Sequence, residues 1–119
     1  MKICCVSDLH GRLPVIPECD VLVIAGDVAP DAPNHWFISR EDRRQYQWNW
    51  FQTTYAAWEQ TVPAKHIVAT PGNHDWCLSL PEECRTKWLI SEGLTIEENT
   101  FWGEPYVPML RGADRTSVV

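Results

Sequence analysis

The sequence predicts an α/β fold built on a mainly parallel sheet with flanking helices, and three observations carry that prediction. Three short runs rich in β-branched and other apolar residues, 2–6, 21–25 and 66–69, show no polar alternation, as expected of strands buried on both faces. Each run stops at a polar cluster: Ser7-Asp8-Leu9-His10-Gly11, then Gly26-Asp27, then Thr70-Pro71-Gly72-Asn73-His74-Asp75. Between the second and third runs lies a helical pattern long enough to cross over. Strand, crossover and strand imply parallel pairing with a right-handed connection.

The crossover helix has a start, a face and a stop. Ser39 followed by Asp42 offers an N-terminal cap, with Glu41 and Asp42 in the favourable first turn. Trp48, Phe51, Tyr55 and Trp58 recur at offsets of three and four, on an arc of about 80°, and read as a core stripe packed on the sheet. Trp50 falls off that stripe and is expected to be partly exposed; Pro63 ends the helix. Pro14, Pro17, Pro30 and Pro33 keep the first crossover and the loop after Asp27 irregular. A second helix is signalled by Ser79-x-x-Glu82 with Pro81 near its first turn and Gly93 at its end. Thr95-Ile96-Glu97 and Thr100-Phe101-Trp102, joined through Glu98-Asn99, suggest a hairpin. Residues 111–119 show neither period nor turn logic, so the reading is one domain over 1–119 with an irregular tail.

Composition bounds the function. At 119 residues and 13.7 kDa the scaling of surface with mass gives roughly 6,600 Å² folded against about 20,000 Å² extended, enough burial for a core without staples. Hydrophobic residues at 45% and charged residues at 22% exclude wholesale disorder. The formal charge of -6 argues against non-specific nucleic-acid binding and against an anionic membrane surface. No segment approaches transmembrane length, and the apolar run that ends at Asp8 is too short for a signal peptide. Five cysteines without a C-x-x-C spacing read as buried free thiols in a reducing cytoplasm, which is the expected location.

The polar clusters carry the chemistry. In an open parallel sheet the carboxyl ends of the strands share one edge, where ligands usually bind. Asp8 and His10 come from the first strand, Asp27 from the second, and Asn73, His74 and Asp75 from the third. Asp8 and His10 stand two apart on a segment read as extended, so both side chains face one way. Taken singly, Asp8 is more often a turn or cap residue, His10 a surface histidine, and Gly72-Asn73 a turn in which glycine supplies the backbone angles. Their ordered recurrence at three strand ends is what those readings leave unexplained. Carboxylates brought together repel, and a divalent cation removes that cost. Oxygen and imidazole donors suit manganese, iron, zinc or nickel better than magnesium or calcium.

Asp8-Leu9-His10, Gly26-Asp27 and Gly72-Asn73-His74-Asp75 resemble the first three motifs of the calcineurin-like metallophosphoesterases, and the resemblance runs over roughly 2–108, including the segment from Phe101 to Pro108. It implies the N-terminal half of an αββα sandwich and a dinuclear metal centre that hydrolyses a phosphomonoester or phosphodiester, small or nucleotide-like. By the same resemblance Asp8 and His10 hold the first ion, Asp27 bridges, and Asn73 holds the second. His74 protonates or stabilises the leaving oxygen with Asp75 beside it.

The family's later Gly-His and Gly-His-x-His motifs have no counterpart here, because no histidine follows His74. His35 is the auxiliary ligand that the loop after Asp27 offers. His66 is excluded, since it begins a strand whose far end, about 20 Å away, carries the site. These departures set the expectation of a truncated chain with an uncovered sheet face, exposed aromatic surface and as few as one bound ion. The alternative reading is a catalytically inactive relative, or a metal-binding or interaction module that needs a partner chain, either a second copy or a missing C-terminal half.

Overall fold

The structure, a computed structural model, describes residues 1–34, 36–72, 84–104 and 117–118. Four strands, β1 (Ile3–Val6), β2 (Cys19–Ala25), β3 (Ala64–Thr70) and β4 (Thr86–Trp88), form one sheet in that order. Every pairing in it is parallel, as the unalternated apolar runs predict. Leu22, Ile24, Ile67 and Ala69 face the helical layer while Val21, Val23 and Val68 face the opposite side. The register sets Val6 against Ile24 and Ala25 against Thr70, so β1, β2 and β3 release their loops at one edge.

The crossover is a single helical rod: α1 (Arg40–Trp50), a π-helical turn (Phe51–Tyr55) and α2 (Ala56–Thr61). Ser39 caps it as expected, its Oγ accepting the Asp42 N–H at 3.1 Å. Phe51 and Tyr55 are fully buried, whereas Trp48 and Trp58 are half-buried. The other inward positions are polar, Gln47 and Glu59. Residues 47, 51, 55 and 59 are spaced by four, a row that drifts about 40° per step around an α-helix. The wider π turn takes an extra residue and offsets that drift. It brings Trp50 inward as well: the indole lies edge-on to Phe51 with centroids 5.0 Å apart and within 5.8 Å of Tyr55.

The helix expected to end at Gly93 is not found in the described part of that stretch. Thr86–Trp88 is β4, and Gly93 lies inside β5 (Glu92–Ile96). Residues 79–83 lie outside the described residues. Tertiary contacts override the helical signal here. Thr86 is tied to the crossover by hydrogen bonds to Glu59 and Tyr55, and Trp88 packs edge-on against Phe51.

A second, antiparallel sheet comprises β5, β6 (Asn99–Glu104) and β7 (Ser117–Val118). The expected hairpin forms with its turn one residue earlier, since Ile96 pairs with Asn99. Glu97 and Glu98 adopt φ of 47° and 70°, the positive angles of a two-residue hairpin turn whose twist matches the strands. Leu94, Ile96 and Phe101 close onto Val21, Val23 and Val68. The face of the parallel sheet expected to be bare is therefore covered at β2 and β3. Exposed aromatic surface is found instead in the loop before α1, at Trp36 (82% exposed) and Phe37 (88%).

Cys4, Cys5, Cys19 and Cys84 are unbridged, but only Cys19 is buried and Cys5 is exposed. Burial, then the neighbouring Cys4, pushes the Cys19 thiol up; burial and nearby Glu59 do the same for Cys84. Among the described residues no helix is long and apolar enough to cross a membrane.

At the opposite edge of the parallel sheet, Asp20 accepts the Lys2 backbone N–H at 2.7 Å and pairs with Lys65 Nζ at 3.3 Å. The Lys2 bond first, then Lys65, holds the Asp20 carboxyl below its ordinary value. A depressed native value stabilises the fold above the unfolded carboxylate range, near pH 4, and that contribution fades as pH falls through the native value. Asp20→Asn is expected to lower the melting temperature slightly at neutral pH, by a gap that closes as pH falls through the native value of the Asp20 carboxyl. Melting curves of the two proteins across that range check it: a constant gap would contradict the assignment.

Candidate metal centre

Beyond Val6 the β1–β2 pairing continues as a ladder between loops. Asp8 N–H donates to the Gly26 carbonyl at 3.3 Å, His10 to that of Asp27 at 2.9 Å, and Gly11 to that of Val28 at 2.9 Å. This zipping fixes the two loops against each other before any side chain is considered. Asp8, His10 and Asp27 all adopt left-handed backbone, with φ of 54°, 48° and 51°. Aspartate and histidine visit that region more readily than most residues, and its appearance at three candidate donors marks a shaped site. The extended segment expected for Asp8 and His10 is not what juxtaposes them; the left-handed turns do. Gly11, at φ 83°, also lies where a Cβ would stand 2.7 Å from Pro30 Cβ, so glycine is required on both counts.

The result is a compact donor group. One ligand atom each from Asp8, His10 and Asp27 lies within 4.8 Å of the others, with Asp8 and His10 exposed and Asp27 half-buried. Donors on a single divalent ion stand up to about 4.4 Å apart, so small side-chain rotations close the set on one ion. Two carboxylates this close repel each other, and a cation shared between their oxygens and the imidazole nitrogen would relieve that repulsion. Ser7 Oγ donates to Asp8 Oδ2 at 3.0 Å, which steadies one carboxylate oxygen.

The third strand end arrives at the same point. A Cβ on Gly72 would overlap the backbone nitrogen and Oδ1 of Asp27 and stand 2.9 Å from its Cγ. Gly72 is thus there because β3's loop presses on Asp27, and not for the turn angles first assigned to it; its φ is not left-handed. Asn73, His74 and Asp75, together with His35, lie outside the described residues. His66 is exposed on β3 opposite Val21, several residues short of the site edge. Sequence reasoning missed Ser7, the Pro30 contact and the steric role of Gly72. None has a local signature, because each is defined by what it touches across the fold.

Comparison with curated proteins finds no match. A family model described as Calcineurin-like phosphoesterase matches residues 1–108, which take in all three strand-end clusters and the β5–β6 hairpin, and the chain belongs to that family.

Proposed function

We propose that this chain hydrolyses a phosphate ester, a small or nucleotide-like phosphomonoester or phosphodiester, at a divalent metal centre held by Asp8, His10 and Asp27 with Asn73. The observation that carries the reading is the convergence of the three donors within 4.8 Å at the edge of the sheet, in a chain of this family. Divalent ions of the manganese, iron, zinc or nickel type held there would supply positive charge for a phosphate and lower the pKa of a water so that hydroxide is available near neutral pH.

The chain's own groups do the rest. Asp8 and Asp27 supply anionic oxygens and His10 a neutral nitrogen, so the donors balance only part of a dinuclear charge and leave the pocket attractive to a phosphate. The ladder from Asp8 to Gly11 fixes the backbone that carries Asp8 and His10 against that of Asp27, so only side-chain rotation remains for the donors to close on an ion. His74 gives a proton to the leaving oxygen, oriented by Asp75. An overall charge of -6 favours small esters over polymeric nucleic acid, which needs a basic track.

Hydrolysis of chromogenic phosphate mono- and diesters with added manganese tests this. His74→Ala is expected to lose about 100-fold in rate while manganese affinity, read by calorimetry, stays within twofold. Full activity in that variant would remove the proposed proton donor. No hydrolysis by the parent chain at saturating manganese would remove the function. The same titration counts the ions, two per chain for a dinuclear centre.

A further inference from the structure

Three of the ten basic residues of this acidic chain, Arg40, Arg43 and Arg44, fall in the first turns of α1. The helical rod from Arg40 to Thr61 ends where Pro63 meets the start of β2, through the Cys19 N–H to Pro63 carbonyl bond. It therefore runs antiparallel to the strands, and its beginning stands at their carboxyl edge. Twenty-two residues of helix span about 33 Å, whereas a seven-residue strand spans about 23 Å, so roughly the first two turns overhang the strand ends. A contact confirms the level: Gln47 Nε2 donates to the carbonyl of Pro30 at 3.3 Å, and Pro30 packs on Gly11 beside His10. Arg43 and Arg44 lie one turn further out.

The charges of this turn are sorted by face. Arg44 stands about 60° around the helix from inward-facing Gln47, and Glu41 about 120° from it. Glu41 and Asp42 are exposed, whereas Arg44 is half-buried, with its Nε shut off from solvent and without a hydrogen-bond partner. Among the described residues no carboxylate lies within ion-pair distance of it. A guanidinium with a packed stem and no carboxylate, one helical turn beyond the level of Pro30 at the edge that carries the donors, has the properties of an anion receptor. Its Nε is closed off, so the two terminal nitrogens are the donors that an acceptor from outside would meet.

We infer that Arg44 is the phosphate-recognition residue of this chain and donates hydrogen bonds to non-bridging oxygens of the phosphate group held beside Asp8, His10 and Asp27. The inference rests on the phosphoesterase reading and adds a residue that neither the strand-end motifs nor the family match assigns. Arg44 contacts substrate in this scheme without holding metal, so its loss weakens anion binding and leaves cation binding alone.

The test is titration of the full chain, loaded with manganese, with inorganic phosphate followed by calorimetry. Arg44→Ala is expected to bind phosphate about tenfold more weakly, as for loss of one charge-assisted bond. Arg44→Lys, which keeps the stem and the charge but loses the fork, falls between. Manganese affinity and melting temperature should match the parent in Arg44→Lys. Equal phosphate affinity in the parent and both variants, or no phosphate binding by the parent, would overturn the assignment. Failure of manganese uptake or hydrolysis would instead count against the phosphoesterase reading, and the separate manganese titration tells the two apart.

Discussion

Gly72→Ala is expected to lower manganese affinity by at least tenfold and ester hydrolysis by about 100-fold, the scale on which a displacement of about 1 Å acts in a catalytic site. The added methyl has nowhere to go. It would overlap both the backbone nitrogen and Oδ1 of Asp27; rotating the carboxylate away displaces a donor, and the backbone nitrogen has no such freedom. Retreat of the β3 loop is opposed by the Thr70–Ala25 pairing and by the Thr70 Oγ1 bond to the Leu89 carbonyl at 2.9 Å. Retreat of Asp27 pulls on His10, whose N–H is bonded to the Asp27 carbonyl. Either movement opens the donor set.

Gly93→Ala, on the antiparallel sheet, is the control: a Cβ there would stand 3.3 Å from Trp102 Cε3 and 3.4 Å from the Phe101 carbonyl oxygen, and touches none of the donors. Its manganese affinity should equal that of the parent. Alanine in place of glycine also restricts the unfolded chain, worth about 0.4–1 kcal/mol in favour of folding, so melting temperature is a poor readout for Gly72→Ala and calorimetric titration is the right one. Unaltered manganese affinity in Gly72→Ala would mean that Asp27 is not a ligand in its present position.

The second large effect falls on stability. Glu59 is 1% exposed and its carboxylate accepts three hydrogen bonds: Arg85 N–H at 3.1 Å, Thr86 N–H at 3.0 Å and the Thr86 hydroxyl. Tyr55 continues the network through its hydroxyl to Thr86 Oγ1 at 2.6 Å. Arg85 in turn donates to the carbonyls of Glu59 and Val62 at the end of α2 and of Ala64 at the start of β3, tying the helix end to the sheet. Glu59→Ala would strand two backbone N–H groups, each costing about 1–3 kcal/mol, would leave the Thr86 hydroxyl with Tyr55 as its remaining partner, and would open a cavity besides.

A loss of about 3 kcal/mol or more follows, seen as a fall of roughly 10 °C in melting temperature for a chain of this size. Glu59→Gln, which keeps the volume and one acceptor oxygen, should lose about half as much. A melting temperature for Glu59→Ala within a degree or two of the parent would show that the three donors find other partners. The same substitution loosens β4 from the crossover, while the ladder between Asp8 and Gly11 lies on the far strand, so manganese affinity should change little below the melting point.

Several features of this protein were legible along the chain because their causes are local. Unalternated apolar runs specify strands, and β1, β2 and β3 lie where such runs are; the burial on both faces expected of all three holds in the sheet interior at β2, whereas β1 is an edge strand that leaves Ile3 and Cys5 exposed. Ser39 caps the helix because its Oγ needs only a nitrogen three residues on, and Pro63 ends the rod because it has no N–H to continue it. Asp8, His10 and Asp27 could be assigned to one edge because a parallel sheet puts equivalent ends of its strands together. The strength of that reading came from three polar clusters recurring in order, and not from any single residue.

What tertiary structure alone decided involves partners distant in sequence. Thr86–Trp88 became strand against a helical signal because Thr86 is gripped by Glu59 and Trp88 by Phe51. The π turn keeps Tyr55 and Glu59 on the sheet, a need that appears only when β4 is there to receive them. Gly72 is irreplaceable because Asp27 stands against it, and Asp8 and His10 are juxtaposed by left-handed turns that the ladder to β2's loop imposes. The sequence by itself determined which segments form strands and helix and which edge collects the donors, since periodicity and capping act within a few residues. The fold decided how closely those donors approach, because excluded volume and hydrogen bonding between remote segments have no local pattern to announce them.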